Sequence, residues 1–290
     1  MKKEHIGESE LILNPDGSIY HLSLKPFQLA DNVILVGDPE RVNRISQHFD
    51  HIEYKVYKRE FVTHTGIYNN NRITVISTGI GPDNIDIVLN EIDALVNMNF
   101  ETRKETYKKK SLNIIRIGTS GAIDPNIDVD SFVLSDYALG FDQVLHYYKS
   151  DNIQEKEIQE AFLNQSDWNT NLSKPLVFSC SSELRNKFSS EEIINGFTAT
   201  AVGFYGPQAR VLRLKLADDR QNEKLENFDF KGLKITNYEM ETSTIYGLGK
   251  LLGHKCLSLN CIIANRKKEE FSSNPYSSID KLIKYTLDKI

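Results

Sequence analysis

The chain has 290 residues, a net charge of −5, 40% hydrophobic residues and 26% charged residues. That length buries one large core and is short for two independent domains, and the composition is ordinary for a soluble globular protein. The acidic balance argues against a dedicated nucleic-acid binder, and the lack of any apolar run of about 18 residues argues against a membrane span.

The N-terminus, "MKKEHIGESELILNPDGSIYHLSL", is charged but has no apolar h-region, so it does not read as a secretory signal. Cys180, Cys256 and Cys261 show neither a paired framework nor CxxC spacing, which suits buried thiols in a reducing compartment. A cytoplasmic protein is expected.

In chain order, "NVILVGDPERVNRISQHF" predicts a strand at Val33–Val36, a Gly-Asp-Pro turn and a helix, with proline at its first turn. The stretch from Tyr54 to Thr78 alternates, is rich in aromatic and β-branched residues, and turns at Asn69–Asn71, so it predicts a meander. "GIGPDNIDIVLNEIDALVNM" places Ile85, Val88, Leu89, Ile92, Leu95 and Val96 at helical spacing. Arg103 to Lys110 is a basic stretch that fits a solvated loop or helix end as well as a polyanion patch.

"LNIIRIGTSGAI" reads as an apolar strand running into a Gly/Ser/Thr loop, and "DSFVLSDYAL" as a further strand. Residues 140–171 are polar and aromatic, with only a loose helical pattern. "KPLVFSCSSELRNKF" is strand then helix, "IINGFTATAVGFYGPQARV" strand then loop, and "KGLKITNYEMETSTIYGLGKLL" strand then helix. "KCLSLNCIIANR" is a buried strand. "SSIDKLIKYTLDKI" is a closing amphipathic helix with a serine N-cap signal. Strands alternating with helices around one early meander imply a single three-layer α/β/α domain, residues 1–290, with a mixed central sheet. Within it, residues 1–30 form an N-terminal arm and residues 101–111 a Lys-rich insertion.

Ligands of open α/β sheets sit beyond the carboxyl ends of the strands. Five segments follow predicted strands there: "GDPER", "TGIGPDN", "RIGTSG", "GFYGPQAR" and "NYEMET". Arg41 and Arg116 lie at two such ends. Each alone fits a structural ion pair; together with backbone N–H groups of a Gly/Thr/Ser loop they fit an oxyanion cradle. "TGIGPD" precedes a helix, whose N-terminus favours anions, but it matches neither GxGxxG nor the Walker pattern. Gln208 offers an acceptor and two donors, and Arg210 donors only, a pair able to read an imide-type ring edge. Phe204 and Tyr205 would supply a stacking wall. A plain helix start with a surface arginine is the other reading. Glu239 and Glu241 flank Met240 where a strand gives way to a helix, and as helix N-terminal charges they would suit the dipole.

The ordered set "GDPER" (Gly37–Arg41), "KREF" (Lys58–Phe61), "STGIG" (Ser77–Gly81), "RIGTSGAI" (Arg116–Ile123), "FYGPQAR" (Phe204–Arg210), "NYEMET" (Asn237–Thr242) and "NR" (Asn265–Arg266) resembles the nucleoside phosphorylase superfamily, specifically its uridine phosphorylase branch. The resemblance implies phosphorolysis of uridine to uracil and α-ribose 1-phosphate, with inorganic phosphate as co-substrate and no other cofactor or metal. It implies phosphate binding by Gly37, Arg41, Arg116 and Thr119, and by Arg59 reaching into a neighbouring subunit. His21 would contact the ribose 5′-hydroxyl of the partner; a surface histidine in the arm is the alternative. Met240 and Glu241 would hold the ribose. Phe204, Gln208 and Arg210 would bind the base, with Glu239 supporting that side. The catalytic set would be Arg41, Arg116, Thr119 and Glu241.

Purine-cleaving relatives carry an aspartate as general acid where this chain reads "IIANR", and Asn265 cannot donate a proton in that way. A pyrimidine anion needs no such acid if Arg210 and Gln208 stabilise it. Nucleosidases of this fold lack the arginine cradle that Arg41, Arg59 and Arg116 would form. "TGIGPDN" is one residue tighter than the "TGIGGPS" of many uridine phosphorylases and replaces a serine that helps bind a monovalent cation with Asp83 or Asn84, so that cation is not carried over. A homodimer with shared sites is implied, and a hexamer of such dimers also fits. A purine nucleoside phosphorylase or nucleosidase, and a non-catalytic nucleoside-binding or storage protein, are the rival readings.

Overall fold

The computed structural model describes residues 5–290. The first four residues of the expected arm lie outside the described residues.

β1 (Asn32–Val36) turns at Asp38 into α1 (Pro39–Ser46). Asp38 caps that helix by accepting from Glu40 N at 2.9 Å, and proline fills the first position, where no N–H is needed. An antiparallel meander follows: β2 (His51–Lys58), β3 (Phe61–Tyr68) and β4 (Asn71–Ser77). Next come α2 (Pro82–Asn97), a small hairpin of β5 (Met98–Asn99) and β6 (Lys104–Glu105), β7 (Asn113–Ala122) and β8 (Phe132–Gly140). The second half contains α3 (Lys156–Ser166), β9 (Leu176–Ser179), α4 (Ser182–Phe188), β10 (Ile193–Thr200), α5 (Gln221–Glu226), β11 (Ile235–Glu239), α6 (Thr242–Leu252), β12 (Lys255–Asn265), β13 (Glu270–Phe271) and α7 (Pro275–Asp288).

All strands except β5 and β6 join one mixed, 11-stranded sheet. β7 is its hub. It pairs in parallel with β1 and β12, and its far end pairs antiparallel with β11. β12 also meets β8, β8 meets β10, and β10 meets β11. The five strands β7, β12, β8, β10 and β11 therefore close into a ring at one side of the sheet, and the meander extends the other side.

Helices cover both faces, as the sequence predicts for three layers. The strand period of two sorts the core: Val33 and Leu35 of β1 face α2 and α6, whereas Ile34 and Val36 face α1, α4 and α7. β7 repeats this, with Ile114 on the α2/α6 side and Ile115 and Ile117 on the other. Arg116 thus shares a face with Ile114. A third cluster, built on Phe162, Phe197, Leu225 and Phe228, lies under α3 and α5. No helix among the described residues is long and apolar enough to cross a membrane.

Two local expectations change. The Gly/Ser/Thr stretch after Arg116 is not a loop: β7 runs unbroken to Ala122, because β12 supplies a pairing partner for each of these residues. The last helix starts at Pro275, and its cap is Asn274, which accepts from Ser277 N at 3.2 Å. Residues 140–171 hold a 3-10 turn at Val144–Tyr147 and α3, anchored by Phe141 stacked on Trp168 at 4.8 Å. In the basic stretch, Arg103 is tied to the N-terminal segment, donating to Ile6 O, Gly7 O and Leu11 O.

His64 on β3 is buried between Ser46 Oγ at 2.7 Å and Tyr57 Oη at 3.0 Å, so it links α1 to β2. Burial, helped by the charge of Lys55, lowers its pKa from 6.5 to about 4. The neutral ring therefore contributes stability that is intact above pH 6.5 and is lost as pH falls through about 4. Melting followed across that window should show wild type losing stability with a slope of up to about one extra proton, and His64→Gln should lack that component. Superimposable pH profiles would remove this role.

Candidate active site

The site grows from the way β11 returns along β7. Asn237 pairs with Ala122 and Tyr238 with Gly121, so the end of β11 heads back toward Gly118 and Arg116. Glu241, two residues beyond the strand, then reaches the Arg116 guanidinium. Both residues are buried, at 5% and 4% exposure. A charge so far from water needs its partner. Glu239 adds a second carboxylate, 3.3 Å from Arg116 Nη2, and Asn260 Oδ1 accepts from Nη1 at 2.8 Å. Burial opposes ionisation of Arg116, but the two glutamates outweigh it and hold its pKa above the ordinary value. Burial raises the pKa of Glu241, and Arg116 partly offsets the rise.

The two glutamates have different duties. Glu239 accepts from Glu241 N and Thr242 N at 2.9 Å each, and from Thr200 Oγ1 at 2.6 Å. It therefore caps the start of α6 and braces the cluster. Glu241 accepts from Gly81 N at 2.9 Å, directly before α2. The anion at that helix N-terminus is thus a side chain of the protein itself. Met240, between them, is half-buried.

Arg41 lies beside this pair. Its Nη1 donates to Ile117 O at 3.3 Å, and its pKa is lowered by burial and by Arg116. The two guanidiniums converge, but not from strand ends as expected: Arg41 comes from the first turn of α1 and Arg116 from within β7, with Thr119 three residues further along β7 and paired to Cys261. Gly37 closes against the next loop: a Cβ on it would lie 3.4 Å from Gly79 O. Gly118 is more constrained still. The Arg116 guanidinium lies across it, and a Cβ there would sit 1.7 Å from Nη1.

The base-reading candidates form a second group. Arg210 donates to Gln208 Oε1 at 2.6 Å and to Phe204 O at 2.7 Å, with its guanidinium 3.8 Å from the Phe204 ring centre. Gln208 is buried and donates through Nε2 to Gly203 O at 3.1 Å. Ala209, between them, takes the left-handed conformation at φ 52°. Arg266 holds this turn from below through Gln208 O and Ala209 O. Burial and the nearby Arg266 lower the pKa of Arg210. Arg210 and Tyr205 border a groove of about 1250 Å³ that also meets Phe141, Asp142 and Trp168.

Two candidates stand apart within one chain. Arg59 sits exposed at the β2–β3 turn with φ 54° and makes no hydrogen bond or ion pair among the described residues. His21 is held by Glu91 of α2, 2.7 Å from Nδ1. Asn265 does not face the site: its amide donates to Asp124 O and Ile127 O and accepts from Lys267 N and Lys268 N.

The sequence profile of the phosphorylase superfamily matches residues 31–286. The chain belongs to this superfamily. Uridine phosphorylase of Thermococcus kodakarensis is 27% identical over 256 residues, covering 88% of this chain and 80% of that protein. Uridine phosphorylase of Haemophilus influenzae is 28% identical, covering 87% and 88%. The crystal structure of a Trypanosoma brucei nucleoside phosphorylase, described as showing uridine phosphorylase activity, superposes with a TM-score of 0.87 at 29% identity and covers 97% of this chain and 99% of that one.

Arg266, Gly118 and Asn260 join the site without having been singled out from sequence. Arg266 stands in the "NR" segment, and Asn260 is a buried amide in the middle of a mostly apolar strand that also holds Ser258 and Asn265. Gly118→Ala should force Arg116 out of its plane. Steady-state turnover should then fall by about a hundredfold, the scale of a 1 Å misplacement at a reacting centre. Wild-type turnover would show that Arg116 needs no such fit.

Proposed function

We infer that the chain catalyses phosphorolysis of uridine, giving uracil and α-ribose 1-phosphate, and that it does so as a nucleoside phosphorylase-like domain in cytoplasmic pyrimidine salvage. Inorganic phosphate is the co-substrate, and no other cofactor enters the proposal. The observation that carries the base assignment is the Gln208–Arg210 pair, fastened at 2.6 Å, with a second guanidinium, Arg266, behind it. Positive charge is concentrated where a departing pyrimidine would gather negative charge. Three relatives described as uridine phosphorylases, or as having that activity, support the same reading over most of the chain.

In this mechanism Arg41, Arg116, Thr119 and the backbone at Gly37 hold phosphate. Arg59 of a second copy completes the cradle, which gives the exposed turn residue a partner. Glu241 accepts from the ribose hydroxyls, with Met240 along the sugar face, and His21 of the second copy meets the 5′-hydroxyl. As the glycosidic bond stretches, the ribose gains oxocarbenium character, phosphate attacks C1′, and the electron pair of the broken bond leaves with uracil. Arg210 and Gln208 stabilise that anion, with Phe204 against the ring and Glu239 bracing Arg116 and Glu241. Positioning and preorganised charge supply the acceleration. Glu241 and Arg116 are bonded to each other, so the sugar and phosphate subsites adjoin at one ion pair.

A nucleoside panel assayed with and without phosphate tests the function. Uridine should be cleaved only when phosphate is present; cleavage of inosine but not uridine, or cleavage by water alone, overturns the reading. Arg210→Ala should lower kcat/KM for uridine by about a hundredfold or more, the effect of removing one donor to a developing anion, with an unchanged melting temperature. Unaltered kinetics would remove its role at the base. Size measurement in solution should give a dimer or a multiple of one, and an active monomer would refute the shared site.

A further inference from the structure

Asn260 interrupts the apolar run of β12 with a fully buried amide. Such a group must be satisfied at both ends. Arginine only donates, so the atom 2.8 Å from Arg116 Nη1 is the acceptor Oδ1. Asn260 Nδ2 then donates to Ser135 Oγ at 3.3 Å and to Ser258 Oγ at 3.2 Å. Ser135 Oγ lies 2.6 Å from Thr198 Oγ1, Thr198 donates to Asn237 Oδ1 at 2.9 Å, and Asn237 Nδ2 donates to Ser120 Oγ at 2.8 Å.

The single hydroxyl proton of Thr198 goes to Asn237, so Ser135 is the donor to Thr198. Every bond therefore runs the same way, from Arg116 through Asn260, Ser135, Thr198 and Asn237 to Ser120. The chain visits all five strands of the ring. A side branch returns to the site: Thr242 Oγ1, at the first position of α6, donates to Ser258 Oγ at 2.9 Å.

A planar guanidinium held at one nitrogen can swivel about that bond, whereas two anchors on different nitrogens fix its plane. Glu241 is the anchor at Nη2, and Asn260 is the anchor at Nη1. We propose that Asn260 is a positioning residue for the reaction: through this directional network it fixes the plane of Arg116, so that the guanidinium meets Glu241 and keeps its remaining donors for phosphate. This rests on the reading of Arg116 as a phosphate ligand.

The test is the steady-state kinetics of Asn260→Leu, Asn260→Ala and Asn260→Asp beside Arg116→Lys, with melting curves for each. Alanine guards against a leucine variant that fails to pack. The leucine and alanine variants should raise KM for phosphate about tenfold, the scale of one hydrogen bond to a charged group. KM for uridine should move less than about twofold in both. Asn260→Asp keeps an acceptor toward Nη1 but loses the Nδ2 donor to Ser135 and Ser258 and adds a third carboxylate beside Glu239 and Glu241, so KM for phosphate should stay raised as in the alanine variant. The proposal is overturned if leucine and alanine leave KM for phosphate at the wild-type value, if both substrates' KM values rise together, or if aspartate restores wild-type kinetics and so shows the network to be dispensable. Arg116→Lys separates the two levels. If it leaves KM for phosphate unchanged, the reading of Arg116 is wrong; if it raises that KM while the Asn260 variants do not, only the positioning role fails.

Discussion

A guanidinium buried at 5% exposure constrains this fold more than any other single group. Removing an arginine from water costs several kcal/mol unless carboxylates and acceptors surround it, by about that order for each buried ion. Arg116 has two carboxylates and an amide oxygen. The carboxylates would in turn be destabilised by each other's charge, and backbone N–H groups at the starts of α2 and α6 offset that repulsion. The starts of two helices, the return of β11 along β7 and the missing side chain at residue 118 all meet at this one buried cation.

The same arrangement explains the spacing of the two glutamates. At the end of a strand, residues two apart share a face only while the strand continues. β11 stops at Glu239, and the chain turns so that Glu241 becomes the N-cap residue of α6. Glu239 then faces the first turn of that helix, and Glu241 points across to Gly81 and Arg116. A carboxylate bonded to Arg116 and its brace emerge from three consecutive residues because the break between strand and helix falls between them. In the proposed mechanism the phosphate and ribose subsites are two sides of one ion pair, and the turn carrying Gln208 and Arg210, tied down by Arg266, is a separate unit beside the groove.

Much of the fold was legible because periodicity reports burial directly. α2 carries its apolar residues at helical spacing, the meander alternates, and β1 is a short apolar run that the sheet buries on both faces. The GTSG stretch was misread because glycine, serine and threonine look like loop formers when their neighbours are unknown. β12 makes them a strand by supplying partners through Ala122. The cap of the last helix was placed at serine when Asn274, just before a proline, does that work. Residues 140–171 gave little signal, since their order depends on aromatic contacts such as Phe141 on Trp168 rather than on a period.

The sequence by itself determined the alternation of strands and helices, the superfamily, and which arginines, glutamates and amides were chemically suited to anion, sugar and base. These follow from residue type and local spacing, which the chain carries wherever it folds. Tertiary structure alone decided which of them meet. It brought Arg41 to Arg116, set Glu239 to bracing and Glu241 against Arg116 and Gly81, turned Asn265 into a loop fastener, and recruited Asn260 from β12 and Arg266 from just beyond its end. Contacts between strands far apart in sequence arise from sheet register, and register is fixed by the whole core rather than by any one segment.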